Sequence, residues 1–292
     1  MQRIIHALLL SLLSSLLATI ASADSSQPAI YTVHGKYNTM YLVGTIHLLQ
    51  ADESLPGNIN HAYQDAKQLL MEVDTSELDP LSTQAAMMEL GMLPEGKTLA
   101  TELDATAYNK LQSTAKTMGV DIDMLASMRP WMAALTLEQF ALAKLGYSAD
   151  AGVEMQLTAQ AAQDHKAITG LETINEQLNL FATLDKQSQR DYLMSTLDEL
   201  QQMQTEMAAL DKAWHHGDEA KLRALLLEGM NANAKLFTAL TTDRNRRWLI
   251  KLKPLLNSEH DNVLVAVGAL HLIGNDGLVS LLKQAGYTVT RE

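Results

Sequence analysis

Runs of apolar and β-branched residues near both ends of the chain alternate with short polar connectors, a pattern typical of buried β-strands. Residues 30–33 and 40–46 flank a polar, glycine-containing connector and predict a β-hairpin. Residues 69–74 predict a further buried strand. Near the C-terminus, residues 262–267 and 286–289 predict two strands joined by a helix, which is a β-α-β unit. Both ends of the chain are therefore predicted to contribute to a sheet.

The middle of the chain has the three- and four-residue apolar spacing of amphipathic helices. One apolar stripe over residues 193–214 predicts a single long helix, and a short strand is predicted to end at the carboxylate of Glu172. We therefore predict an α/β fold of the α+β kind, in which a small mixed β-sheet built from both chain ends is covered by a large helical insertion. The predicted sheet elements span about 28–75, 165–173 and 262–290, and the helical region about 81–253.

The first 23 residues predict a cleavable signal peptide. Arg3 precedes an apolar run over residues 4–20, and residues 21–23 have the small-x-small pattern of a cleavage site. We expect cleavage before Asp24, a single domain over residues 24–292, and a periplasmic or secreted protein. No other segment approaches the roughly 20 apolar residues needed to cross a bilayer, so we expect no membrane span after cleavage.

The amino-acid composition excludes several kinds of site and partner. The chain contains no cysteine, which excludes disulfides, thiol catalysis and zinc–thiolate binding. Any metal must therefore be held by histidines, carboxylates and water. The formal net charge of −12 lacks the basic footprint of a nucleic-acid binder, so we expect no nucleic-acid partner. Composition leaves the oligomeric state open.

Two matching segments place a histidine where a predicted strand ends. Gly44 precedes His47 by three residues, and Gly268 precedes His271 by the same spacing. Each glycine removes a side chain where backbone or ligand comes close. A single histidine at a strand end is usually structural, but two in matched strands favour a shared site.

Carboxylates accompany these histidines. Glu72, inside the predicted strand 69–74, is costly to bury unless it is paired or bound to a cation. Two imidazoles with two or three carboxylates suit zinc, manganese or cobalt, which supply hydroxide near neutral pH and polarise a carbonyl. A remaining carboxylate, such as Glu172, would relay a proton to the leaving group. Arg244, with Asn245, would donate to an oxyanion or to a substrate carboxylate.

These residues also have structural interpretations. Glu72 could instead form a buried ion pair with Arg129 or Arg244. Glu172 could cap the following turn. Arg244 begins a cationic cluster that could be a solvated helix face. The His215–His216 pair lies just past a predicted helix end with its side chains in different directions, so we do not expect it to bind a metal.

Seven segments carry, in chain order, a resemblance to a known family: Gly-Thr-Ile-His at 44–47, Met-Glu-Val-Asp at 71–74, Arg-Pro-Trp at 129–131, Gly-Leu-Glu-Thr at 170–173, Trp214 with Gly-Asp at 217–218, Arg-Asn at 244–245, and Gly-Ala-Leu-His at 268–271. Together they resemble the TraB/PrgY/GumN family, which is related to the Tiki metalloproteases and more distantly to erythromycin-esterase and ChaN-like proteins. The resemblance implies a mixed α/β fold with paired histidines and acids and, from the Tiki branch, metal-dependent peptide hydrolysis. Where relatives commonly carry Gly-x-Asp, this chain has Glu154, whose carboxylate lies one methylene further out.

We therefore predict a secreted or periplasmic, metalloprotease-like hydrolase that uses manganese, cobalt or zinc and acts on a peptide or on a small amide or ester. Two alternatives stay open. One is a metal-free, esterase-like hydrolase in which one histidine, oriented by a glutamate, activates water and the other acts as an acid. The other is a non-catalytic binder of a peptide, metal or haem-like ligand. The predicted site comprises the metal ligands His47, Glu72, Glu154 and His271; the catalytic residues His47, Glu72, Glu172, Arg244 and His271; and the substrate-binding residues Arg129 and Asn245.

Overall fold

The computed structural model describes residues 27–228 and 234–292, so the predicted signal peptide lies outside the described residues. Within those ranges the strands are β1 (Ile30–His34), β2 (Thr39–Thr45), β3 (Leu49–Gln50), β4 (Gln68–Met71), β5 (Tyr147–Ser148), β6 (Ile168–Gly170), β7 (Val263–Gly268) and β8 (Thr288–Arg291). The helices are α1 (Gly57–Asp65), α2 (Pro80–Gly91), α3 (Leu99–Glu102), α4 (Ala105–Met118), α5 (Ile122–Leu125), α6 (Pro130–Lys144), α7 (Val153–Asp164), α8 (Ile174–Ala182), α9 (Lys186–Glu199), α10 (Met203–His215), α11 (Glu219–Glu228), α12 (Ala234–Phe237), α13 (Asp243–Ser258) and α14 (Leu278–Gln284).

Six strands form one mixed sheet in the order β6-β4-β7-β2-β1-β8. The first four of these strands are parallel, whereas β1 is antiparallel to both of its neighbours. β1 and β2 form the predicted hairpin. β7, α14 and β8 form the predicted β-α-β unit, in which β8 pairs with β1 at the edge of the sheet. The sheet is therefore built from both ends of the chain, as predicted, with β6 contributed from the middle.

β7 lies inside the sheet, and all six of its residues are buried. Leu264 and Ala266 pack into a core with residues of α1, α7 and α10. Val265 and Val267 face the opposite side, where they pack with residues of α13 and α14. Because both faces of the strand are covered, its sequence is a continuous apolar run rather than an alternating one.

The helical region has two parts. Some of its helices cover the sheet, whereas α4, α6 and α9 enclose a core of their own around Leu111, Leu137 and Leu193. The predicted α/β class, with a large helical region around a small mixed sheet, is confirmed. Among the helices of the described residues, none is long and apolar enough to cross a membrane.

Two details of the predicted elements are wrong. The stripe over residues 193–214 is two helices, because α9 ends at Glu199 and α10 begins at Met203. The apolar spacing continues through the break, but Leu193 packs in the separate helical core and Trp214 packs against the sheet, so the chain must turn between them. The strand predicted over residues 69–74 ends at Met71.

Candidate functional site

The carboxyl ends of the parallel strands bring most of the predicted residues to one edge of the sheet. His47 follows β2 and His271 follows β7, and these two strands are parallel neighbours. Glu72 comes directly after β4, and its backbone carbonyl accepts a hydrogen bond from the backbone N–H of Glu172 at 2.8 Å. Ligands of open α/β sheets commonly bind at this edge, outside the carboxyl ends of the strands.

Arg244, on the first turn of α13, is the buried centre of this edge. Its Nε and Nη2 donate to Glu172 at 3.1 and 2.5 Å, and Nη2 also donates to Glu72. Its Nη1 donates to the carbonyl of Leu240 and to Nε2 of His271, both at 3.0 Å. These contacts use all five N–H groups of the guanidinium. Arg244 therefore has no donor left for a substrate oxyanion, and its position fits the ion-pair interpretation of Glu72.

His271 is a neutral, fully bonded side chain. An arginine only donates hydrogen bonds, so Nε2 of His271 accepts from Arg244 and the ring proton is on Nδ1, which donates to Oδ1 of Asn245 at 2.7 Å. Burial lowers the pKa of His271 to about 3, and the guanidinium acts in the same direction against the attraction of Glu72. Asn245 in turn donates to the backbone carbonyls of His271 and Asp276, at 3.2 and 2.8 Å.

Glu72 is held as a buried carboxylate. Its Oε1 accepts the backbone N–H of Gly268 at 2.8 Å, and its Oε2 accepts from Arg244 and, at 3.1 Å, from Nε2 of Gln177. Burial opposes ionisation, yet the side chains of His271, Arg244 and His47 and the N–H of Gly268 lower the pKa of Glu72 to about 2. The sequence prediction missed Gln177, because no local pattern marks a glutamine on α8 as the partner of a residue more than 100 positions away.

His47 and Glu154 form a second pair at the same edge. Nδ1 of His47 donates to Oε1 of Glu154 at 2.7 Å, and the hydroxyl of Thr45 donates to the same oxygen. The other oxygen of Glu154 is buried and has no hydrogen-bond partner within residues 27–228 and 234–292. The charge of Glu154 raises the pKa of His47 to about 9, although partial desolvation of the ring at the cavity opposes the shift. The side chain of His47 is 58% exposed, so its Nε2 side is accessible.

Gly268 leaves a small space between the ring of His47 and the carboxylate of Glu72. A Cβ added to Gly268 would lie 3.3 Å from Oε1 of Glu72 and 3.4 Å from Nε2 of His47. Both atoms therefore border the point that a side chain would otherwise fill. The glycine of the second Gly-x-x-His segment thus keeps open a space flanked by one imidazole nitrogen and one carboxylate oxygen.

A cavity of about 460 Å³ opens above these residues. His47, Glu72, Arg244, Gly268 and His271 line its polar end. The helical region supplies most of the remaining wall, which is largely apolar. Six of these wall residues come in pairs from α6, α8 and α10: Leu135, Leu142, Leu178, Phe181, Met207 and Leu210.

The sequence profile of the TraB/PrgY/gumN family matches residues 29–291. The chain belongs to this family. It is also similar to the uncharacterized protein YbaP of Escherichia coli K12, with 25% identity over 279 residues that cover 94% of this chain and 99% of that protein. YbaP of Shigella flexneri is 26% identical over 280 residues, with the same coverage. No solved structure matches the chain.

Arg129 lies away from the sheet-edge site. Its Nε donates to the backbone carbonyl of Met92 at 3.2 Å, and its side chain lines a separate pocket of about 140 Å³ with Glu102 and Lys186. The following residue, Pro130, starts α6. The position of Arg129 therefore does not support the prediction that it binds substrate together with the sheet-edge residues.

The structure also brings together three side chains that could bind a metal elsewhere. Ligand atoms of Glu53, Asp211 and His215 all lie within 4.8 Å of one another. His216 takes no part, because its Nδ1 lies 2.7 Å from the carbonyl of Lys212. In the sequence His215 stands out only beside His216, and nothing local connects it with a glutamate 162 positions earlier.

Proposed function

We propose that this chain is a hydrolase that cleaves a peptide, amide or ester bond in the cavity at the sheet edge. The observation that carries the proposal is the open space at Gly268, which His47 Nε2 and Glu72 Oε1 border at the polar end of an apolar cavity. A site of this kind combines an apolar binding surface with a few converging polar groups. The signal peptide predicted over residues 1–23 would place the reaction in the periplasm or outside the cell.

Two of the four predicted metal ligands fit a divalent ion. Nε2 of His47 and Oε1 of Glu72 offer one nitrogen and one oxygen to the space beside Gly268. Glu154 fits better behind His47, because a carboxylate on the far ring nitrogen is the usual support of a metal-binding histidine. Nε2 of His271 fits poorly as a ligand, because its lone pair already accepts from Arg244.

The charges of the site support a cation in this space. The three carboxylates of Glu72, Glu154 and Glu172 are offset by the guanidinium of Arg244 and, 3.9 Å from Glu172, that of the half-exposed Arg247, which leaves a formal charge of −1 while His47 is neutral. A buried negative excess favours either a proton on His47 or a bound cation. Manganese, cobalt or zinc bound here would polarise the scissile carbonyl and make hydroxide available.

The residues of the chain then have distinct roles. Glu72 borders the reacting group, and Gln177 and Arg244 fix the direction of its carboxylate. Arg244 is a positioning residue, because all its donors are already used. Glu154 fixes the ring of His47, so that Nε2 rather than Nδ1 faces the cavity.

A metal-free hydrolase is the second candidate, and the His47–Glu154 hydrogen bond favours it. A histidine oriented by a carboxylate is the usual arrangement of a general base that activates water. The second histidine does not suit the acid role predicted for it, because the ring of His271 is neutral and its Nε2 accepts a hydrogen bond. In this version the proton taken up by His47 would return to the leaving group.

The cavity wall favours a substrate with an apolar group beside the scissile bond. Each methylene group that is buried contributes about 0.8 kcal/mol, or roughly a fourfold gain in affinity. We expect kcat/KM for p-nitrophenyl esters to increase with acyl-chain length from acetate to hexanoate. Phe181→Ala should reduce this increase, because the side chain of Phe181 lines the cavity.

The deciding experiment compares two glycine variants of the purified mature protein. Gly268→Ala places a methyl group between His47 and Glu72, whereas Gly57→Ala adds a methyl group with no atom within 4 Å and serves as the control. Turnover of ester and aminoacyl-amide substrates is measured with manganese, cobalt or zinc, and again after chelation. A displacement of about 1 Å at a reacting centre costs on the order of 100-fold in rate, so Gly268→Ala should lose activity that Gly57→Ala retains.

The outcomes separate the candidate functions. Activity that is lost on chelation and restored by one metal supports the metal-dependent hydrolase. Activity that survives chelation but is lost in His47→Gln and reduced in Glu154→Gln supports the metal-free hydrolase. If Gly268→Ala and His47→Gln both retain full turnover, this site is not catalytic. If no substrate is turned over, yet an apolar peptide binds the wild type and Phe181→Ala weakens binding, the protein is a binder.

A further inference from the structure

A second group of metal-binding side chains lies away from the sheet-edge site. Glu53 lies in the turn after β3, and Asp211 and His215 lie one turn apart at the end of α10. Nε2 of His215 contacts Oε1 of Glu53 and lies 3.4 Å from Oδ1 of Asp211. The spacing of four residues on α10 places Asp211 and His215 on the same helix face, where both can reach one ion.

Two oxygen atoms in this group lack the partners that buried oxygens normally have. Oε1 of Glu53 and Oδ1 of Asp211 are both shielded from solvent, and neither accepts a well-directed hydrogen bond from any of the described residues. Both oxygens point towards Nε2 of His215. Buried carboxylate oxygens without partners are costly, so each needs an explanation.

A protonated histidine alone does not account for the arrangement. Nε2 carries at most one proton, so it can make one well-directed hydrogen bond and must leave the other carboxylate oxygen without a donor. Two carboxylates this close together also repel each other. A single divalent cation bound by all three ligand atoms would satisfy both oxygens at once.

We propose that Glu53, Asp211 and His215 bind a divalent cation of the zinc class at a site separate from the sheet edge. One imidazole nitrogen and two carboxylate oxygens are a ligand set that zinc uses, with water completing the coordination. The ligands have side-chain exposures of 18% for Glu53, 27% for Asp211 and 30% for His215, so an ion can enter from solvent.

The position of the site suggests what the ion does. Residue 214, next to His215, is a tryptophan whose Nε1 donates to the carbonyl of Gly44 at 2.7 Å, three residues before His47. Glu53 lies six residues after His47. Trp214 thus already connects α10 to the chain before His47. An ion that joins Glu53 to α10 would also connect α10 to the chain after His47, and would restrict the movement of the segment that carries His47.

The test uses zinc binding by the mature chain in a His47→Gln background, which removes the sheet-edge ligand and keeps the two sites distinct. Bound zinc per chain is measured by isothermal titration, and the melting temperature is recorded with and without zinc. We expect one zinc per chain and an increase in melting temperature. Glu53→Gln and His215→Gln should abolish both effects, whereas His216→Gln, the matched control, should keep them.

The proposal is overturned if Glu53→Gln and His215→Gln bind as much zinc as the parent chain, or if His216→Gln loses binding to the same extent. It is also overturned if the parent chain binds no zinc, manganese or cobalt. Asp211→Asn provides a third variant of similar shape for the case in which one substitution prevents folding. Because every protein in this series lacks His47, failure of the proposed hydrolase leaves the result unchanged.

Discussion

Glu138 carries a partly buried carboxyl group that we predict to make the protein less stable as pH rises. It lies on α6 and accepts a hydrogen bond from the hydroxyl of Thr196 at 3.1 Å, and its two oxygens lie 3.3 and 3.4 Å from the hydroxyl of Tyr192. Burial raises the pKa of Glu138 from 4.5 to about 7. No Lys or Arg side chain of the described residues acts against this shift.

The direction of the effect follows from proton binding. The folded state holds the proton up to about pH 7, whereas the unfolded state releases it near pH 4.5. The unfolded state therefore binds fewer protons between these pH values, and the free energy of unfolding decreases as pH rises. Well below pH 4.5 the free energy of unfolding is not reduced, because Glu138 is protonated in both states. Well above pH 7 the reduction is complete, and a pKa increase of this size corresponds to about 3 kcal/mol.

Glu138→Gln removes the ionisable group but keeps its shape and its ability to accept a hydrogen bond. We expect the variant to be more stable than the wild type by about 3 kcal/mol at pH 8.5 and by about half as much at pH 5.5. Urea unfolding at both pH values measures the difference. Glu206→Gln, an exposed position on α10, is the control and should show no such pH dependence. An equal difference at both pH values, or a less stable variant at pH 8.5, would refute the argument.

Three substitutions test the architecture of the sheet edge. Arg244→Ala leaves the carboxylate of Glu72 buried without its ion-pair partner, so it should lower the free energy of unfolding by about 3–5 kcal/mol, measured in urea. Trp214→Phe removes the N–H donor to the Gly44 carbonyl and should cost about 1–3 kcal/mol, whereas unchanged stability would show that another donor replaces it. Gly44→Ala places a Cβ 3.0 Å from the Cα of Ala269 and should lower the melting temperature through overpacking of about 1–3 kcal/mol; an unchanged temperature would contradict the close approach.

The sequence predicts the sheet edge well because the signal there is local. Each Gly-x-x-His segment contains its own apolar strand and the histidine that follows it. A continuous apolar run identifies a strand buried on both faces, and strands of this kind pair in parallel within α/β sheets. The sequence therefore predicts the two strands and the histidines that follow them, whereas the parallel pairing of β2 with β7 in the structure places His47 and His271 at one edge.

The contacts of the charged residues could not be predicted in the same way. Glu72 had two candidate ion-pair partners in the sequence, Arg129 and Arg244, and the choice between them depends on where α13 crosses the sheet. Arg244 reaches Glu72 across 172 positions of the chain, whereas Arg129 is used elsewhere. The same limit applies to Glu53 and His215, which only tertiary folding brings together.

The structure separates the parts of the site that would control chemistry from those that would control specificity. The polar end of the cavity is built from strand ends and from Arg244, whose five hydrogen bonds connect Glu72, Glu172 and His271 so tightly that changing one disturbs the others. The apolar wall comes largely from helices. Gln177 of α8 donates to Glu72, but the side chains of Leu178 and Phe181 on the same helix are apolar and carry no hydrogen-bonding group. A change in the wall therefore alters the shape offered to a substrate at the cost of ordinary apolar packing, without leaving a buried charge unpaired.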